Sequence, residues 1–162
     1  MKQTMKFLYV LTTVLLTAYI SSIFTQFGIK GWYNNVVADI PLTPPNFIFP
    51  IAWSILYVLI IAATLIVLNC GEKVKKQKAN NLFLLQLFLQ ILWCYTFFAQ
   101  GLLGLGFVVL VLLDIVVFKM ISSYYQISRV AGLFLYPYYW WLLFATFLNF
   151  NFVDNLGFVL AF

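Results

Sequence analysis

Five apolar runs, at about 7–27, 47–69, 82–98, 104–123 and 132–153, take up nearly all of this 162-residue chain. Each comes close to the twenty or so residues an α-helix needs to cross the hydrocarbon layer of a bilayer. In lipid every backbone N–H and C=O must bond within the protein, which leaves helices or closed barrels. The runs are too long and too continuous for the alternating ten-residue segments of a barrel. The expected fold class is therefore an all-α membrane protein, a bundle of five transmembrane helices forming a single domain over 1–162. Composition agrees, with 65% hydrophobic and 8% charged residues, whereas soluble domains have roughly 45–50% and 25%.

Charge and cysteine usage exclude several functions. The net charge of +5 comes from basic residues scattered at the ends of apolar runs, where they orient spans, and not from a nucleic-acid face. Lys2, Lys6, Lys73, Lys75, Lys76, Lys78, Lys119 and Arg129 fall on one side and only Lys30 on the other. The positive-inside rule then puts the N-terminus in the cytoplasm and requires an odd number of spans. The first run follows Lys2 and Lys6 without a clear small-residue cleavage site, so it is read as a retained span and not a signal peptide. The chain has no histidine, and its two cysteines, Cys70 and Cys94, lie far apart. A disulfide framework, a zinc site and histidine ligation of haem are not expected.

Several spans carry side chains that a plain lipid anchor does not need. The stretch 133–149 holds Pro137, three tyrosines, the adjacent Trp140 and Trp141, and Asn149. Trp141, Ala145, Leu148 and Asn149 share one helical face, read as one wall of an internal pocket or as helix packing. Trp53 and Tyr57 stand one turn apart in the second run, as packing aromatics or a second wall. Gln86, Gln90, Trp93 and Phe97 follow helical spacing in the third, so their face should avoid lipid, by interhelical hydrogen bonding or by lining a pocket. Asp114 is the one acid deep within a run. A structural hydrogen bond or a protonated carboxyl is expected there, with proton relay as the alternative.

The connections carry their own signals. Residues 28–46 form a long connector with Lys30, Trp32, Tyr33, Asp39, Pro41, Pro44 and Pro45, expected to be a lid over a cavity or an interfacial anchor. Residues 71–78 are expected to be a short basic loop, 100–106 a tight glycine turn and 124–130 the last loop. Pro137 predicts a kink or a freed carbonyl near Leu133. The segment 156–162 is too short to cross.

The same residues resemble a known family. Trp32-Tyr33, Pro44-Pro45-Asn46-Phe47-x-Phe49 and Trp53-x-x-Leu56-Tyr57 look like the first block of the TspO/MBR family, the translocator and tryptophan-rich sensory proteins. Gln86-x-x-x-Gln90-x-x-Trp93-x-x-x-Phe97-Phe98 resembles its third-span block. Leu135-Tyr136-Pro137-Tyr138-x-x-Trp141-x-x-Phe144-Ala145-Thr146-x-Leu148-Asn149 resembles its fifth-span signature. The resemblance runs from about Trp32 to Asn155, with the first span similar only in character. It implies a homodimeric five-helix bundle that binds porphyrin or haem-like tetrapyrroles, and in some members sterols or synthetic aromatic ligands. Trp53, Tyr57, Gln90, Trp93, Trp141, Ala145 and Leu148 would line the pocket, and Trp32 and Pro45 would belong to its lid. Departures are Asp39-Ile40 where the family carries Lys-Pro, Gln90 in place of an asparagine, and a 148–154 segment without the basic residue of a sterol motif.

The function expected from these readings is binding of a hydrophobic aromatic small molecule, a tetrapyrrole, with no catalytic residue, metal or cofactor required. Rings of indole and phenol suit a flat ligand, and amides can meet its carboxylates or ring nitrogens. With no histidine, stacking and shape would hold the porphyrin, with Met, Cys or Tyr ligation left open. The alternatives are light-dependent porphyrin degradation with tryptophans as electron donors, and a transporter coupled through Asp114. A bacterial inner membrane or a mitochondrial membrane suits helical spans, and the bacterial inner membrane is the location expected.

Overall fold

The computed structural model describes residues 3–36, 44–70 and 72–156. Helix is the only regular secondary structure among them. Five helical stretches of these residues are long and apolar enough to cross a membrane: span 1 (Gln3–Val36), span 2 (Ile48–Cys70), span 3 (Lys73–Ala99), span 4 (Leu103–Tyr125) and span 5 (Arg129–Asp154). The expected all-α bundle of five transmembrane helices is borne out, and the chain is a multi-pass membrane protein.

Helices reach into the expected connectors: Leu103 to Gly106 of the glycine turn and both ends of 124–130 are helical, and the reach is longest at two other places. Residues 28–36 are not loop: the helix Gln3–Gly28 continues through a π-helical stretch, Ile29–Tyr33, into a last turn, Asn34–Val36. Hydropathy marks where lipid ends, not where backbone bonding ends, and nothing in 28–36 breaks a helix as proline would. The basic segment 71–78 is likewise mostly helix, because span 3 begins at Lys73, just after the extended Glu72. Glu72 accepts an ion pair from Lys75 at 3.4 Å. Lys2, Gly71, the segment with Asp39, Ile40 and Pro41, and the tail beyond Leu156 lie outside the described residues.

Local chemistry explains the remaining boundaries. Span 5 is interrupted at Leu135, between the helices Arg129–Phe134 and Tyr136–Leu156. Pro137 has no N–H to return to Leu133, so the ladder breaks there and resumes with Tyr139 N–H donating to the Leu135 carbonyl at 3.0 Å. Ser128 starts the short helix, its hydroxyl accepting from the Ala131 N–H. Between spans 3 and 4, Gly101 has φ of 68°, a conformation glycine adopts without steric cost.

The spans form a ring in the order 1, 2, 5, 4, 3, with span 3 closing back on span 1. At one end the Lys6 ammonium donates to the Leu68 carbonyl (2.9 Å) and the Asn69 side-chain oxygen (3.0 Å), answering free carbonyls at the end of span 2. The Tyr9 hydroxyl donates to Asn80, and Thr64 shares a buried bond with Tyr124. At the other end Gly28 lets span 1 lie against Phe98, where an added Cβ would sit 2.5 Å from a backbone oxygen. The Trp32 indole N–H donates to that same carbonyl at 2.8 Å. Tyr33, Phe49, Phe97, Phe98 and Phe152 complete an aromatic plug around it.

Replacing Gly28 by alanine forces spans 1 and 3 apart. Thermal unfolding in detergent should show a loss of about 1–3 kcal/mol. Gly31→Ala, whose added Cβ meets nothing within 4 Å, should unfold no more easily than the unmodified chain.

Candidate functional site

A cavity of about 370 Å³ lies between spans 1, 2 and 3. Span 1 contributes Ala18, Ser21, Ser22, Thr25, Gln26 and Ile29, at the i, i+3/i+4, i+7 spacing of one helix face. Span 2 and the residues before it contribute Asn46, Phe49, Pro50, Trp53, Ser54 and Tyr57, and span 3 contributes Gln90 and Cys94. Ser22, Gln26 and Ser54 are exposed, so the cavity opens sideways between spans 1 and 2. One wall is therefore aromatic, the facing wall is small and hydroxylated, and the floor carries an amide and a thiol.

The aromatic wall is two layers thick. Trp53 and Tyr57 face the cavity with ring centroids 5.4 Å apart and planes tilted by 32°. Behind them Tyr138 of span 5 packs edge-on to Trp53 at 6.1 Å and donates its hydroxyl to Gln86 at 2.9 Å. Trp141 packs edge-on to Phe49, so it supports the cavity through that ring without lining it. Its neighbour Trp140 is 67% exposed and faces the surroundings. Adjacent helix positions point about 100° apart, which is why only one of the pair can turn inward.

Of the residues singled out from the sequence, Trp53, Tyr57 and Gln90 come together on the cavity. Gln90 donates from its amide to the Tyr57 hydroxyl, joining wall to floor. Trp93, Trp141, Ala145 and Leu148 do not line it. Trp93 and Leu148 are buried in the packed interior, with Trp93 stacked on Phe97. Of the two lid residues, Trp32 is tied to the end of span 3, and Pro45 is exposed, its carbonyl accepting from the Ile48 N–H. Asn46, just beyond Pro45, does line the cavity and donates to Asn34 at 3.0 Å, bridging the ends of spans 1 and 2.

Several buried side-chain atoms on and behind this site have no hydrogen-bond partner among the described residues. They include Gln90 Oε1 on the cavity, and Trp93 Nε1, Asp114 Oδ1 and both amide atoms of Asn149 in the interior. Buried polar groups are nearly always satisfied, so such a concentration makes this region the candidate site. Asp114 lies away from the cavity. It is buried between spans 4 and 5 and accepts from the Thr146 hydroxyl at 2.6 Å.

Sequence reading missed the whole span 1 wall, together with Cys94. Serine and threonine are unremarkable in an apolar run, because they can bond back to their own helix as Thr12, Thr13 and Ser22 do here. A usable signal was the spacing of Ala18, Ser21, Ser22 and Thr25, small or hydroxylated residues on one face.

This fold and site define a multi-pass membrane protein with an aromatic cavity inside its bundle. The sequence model of the TspO/MBR family matches residues 9–154, and the chain belongs to that family, as its three sequence blocks indicated. The match begins in span 1, whose own residues resemble the family only in character. Similar curated proteins include a tryptophan-rich protein TspO of Archaeoglobus fulgidus, 36% identical over 85% of this chain and 88% of that one. Another TspO, from Chlorobaculum tepidum, is 34% identical over 75% and 77%. The protein CrtK of Rhodobacter capsulatus is 32% identical over 77% and 78%.

The Gln90–Tyr57 bond should be worth about 0.6–1.7 kcal/mol, the range of polar side-chain pairs between membrane helices. A double-mutant cycle of Tyr57→Phe and Gln90→Leu, read by denaturant unfolding in detergent, should return a coupling of that size.

Proposed function

We propose that this chain is an integral membrane protein that binds a porphyrin-like tetrapyrrole and acts as its sensor, carrier or scavenger. The observation that carries this reading is the cavity that pairs the Trp53–Tyr57 wall with the amide of Gln90. A flat ligand slides edge-first between spans 1 and 2 and stacks on the two rings, gaining about 0.5–1.5 kcal/mol per aromatic pair beyond burial alone. The unpartnered Gln90 oxygen accepts from a pyrrole N–H or a protonated carboxyl, and the hydroxyls of Ser21, Ser22 and Thr25 meet polar edges of the ligand. Sideways opening suits a ligand that partitions into lipid. Family membership supports the same reading.

The membrane we assign is the bacterial inner membrane, with the N-terminus in the cytoplasm and a homodimer as the working form. The lysine-rich start of span 3 and Lys6 lie at the same end of the bundle, as that orientation requires. A second reading, light-dependent degradation of the porphyrin, rests on the close Trp53–Tyr57 pair as electron donor to an excited ligand. A transporter coupled through Asp114 has no such support, because that side chain lies off the cavity.

Titrating the protein in nanodiscs with protoporphyrin in the dark should quench tryptophan fluorescence saturably. Trp53→Phe should weaken binding about three- to tenfold, the worth of one aromatic contact, whereas Trp140→Phe should leave the Kd unchanged. Quenching that never saturates would contradict the reading. New absorbing products under illumination in air, lost in Trp53→Phe, would favour the degradative alternative.

A further inference from the structure

The cavity floor carries one group that stacking and amide recognition leave unused, the thiol of Cys94. It is 3% exposed yet lines the cavity, one turn beyond Gln90 on the same face of span 3. From span 1 the hydroxyls of Ser21 and Thr25 approach the sulfur. A second feature marks this floor as built for a ligand. Gln90 is fully buried with its Oε1 unpartnered. It lines the same cavity as the thiol.

We propose that Cys94 is an axial ligand to the iron of a ferric porphyrin seated in this cavity, so that the site selects the iron-bearing ligand over the metal-free ring. The proposal rests on the tetrapyrrole reading above. The chain has no histidine, and none of the residues lining the cavity is a methionine. Cys70 is exposed at the far end of span 2. Among the lining residues the remaining candidate is the Tyr57 phenol, whose oxygen already accepts from Gln90. Cysteine sulfur is an established haem ligand.

The step balances in charge as well as in atoms. A ferric porphyrin with hydroxide on iron meets the thiol. The Fe–O and S–H bonds break, the Fe–S bond forms, and hydroxide leaves with the thiol proton as water. Iron stays ferric. The thiolate cancels the single positive charge of the ferric porphyrin core, which matters in a poorly polarisable interior where an uncancelled charge is costly. The Ser21 and Thr25 hydroxyls then donate to the sulfur, the outer-shell support that a metal ligand ordinarily has.

The test titrates wild type, Cys94→Ser, Cys94→Ala and Cys70→Ser in nanodiscs with ferric protoporphyrin and, separately, with metal-free protoporphyrin. Absorption and electron paramagnetic resonance spectra report the ligation. Wild type and Cys70→Ser should give a thiolate-type ferric spectrum. Both Cys94 variants should lose that spectrum, and their preference for ferric over metal-free protoporphyrin, taken as the ratio of the two Kd values, should fall at least about tenfold. Saturable metal-free binding in the same variants reports that they are folded. A ferric spectrum and affinity that survive in both Cys94 variants would overturn the proposal and leave the tetrapyrrole reading standing. Failure of wild type to bind either porphyrin would overturn both.

Discussion

A polar side chain in a hydrocarbon slab must find its partner on another helix, and in this protein those partnerships hold the spans in their places. Tyr138 donates to Gln86 and ties span 5 to span 3; Gln90 donates to Tyr57 and ties span 3 to span 2. Thr146 to Asp114 joins spans 5 and 4, and Thr64 with Tyr124 joins spans 2 and 4. Each such bond is modest, about 0.6 kcal/mol on average between membrane helices. Apolar packing gives little discrimination among helix arrangements in lipid, so these directional contacts carry much of the specificity. They also explain why span 1 is the odd member. Lys6, Tyr9 and Trp32 tie its ends to neighbouring spans, and the cavity opens between those ties.

The site follows from that asymmetry. Where spans 3, 4 and 5 meet, large side chains such as Trp93, Phe97, Leu110 and Leu142 fill the interior. Opposite span 2, span 1 presents Ala18, Ser21, Ser22 and Thr25, small side chains that leave space for the cavity. Its aromatic wall is held from behind by Tyr138 and Trp141 on the fifth span. The fifth-span signature thus contributes to the site by fixing the orientation of span 2 rings. The break at Leu135 sets the start of the helix that carries both residues.

The fold was legible in the sequence because hydropathy reports burial in lipid directly. Five runs, a lopsided distribution of lysine and one proline gave the number of spans and the interruption of the fifth. Two helix ends were misplaced, at 28–36 and 73–81, because a helix that leaves the hydrocarbon keeps its backbone bonds while its residues turn polar. The site was legible where large or amide side chains stood at helical spacing, as Trp53, Tyr57 and Gln90 did. It was not legible on span 1, where a hydroxyl lining a cavity and a hydroxyl bonded to its own helix look alike. Nor could the sequence tell that Trp141 stands one ring behind the wall, since depth across a bundle depends on how two helices pack.

A structure of the protein with protoporphyrin bound tests most directly whether the space between spans 1, 2 and 3 receives the tetrapyrrole. The ring system should lie flat against Trp53 and Tyr57, with Gln90 and Cys94 beneath it and Ser21 at its edge. A porphyrin seated elsewhere, in contact with Trp93 and Leu148 across an opened interior or on the outer face by Trp140, would contradict it.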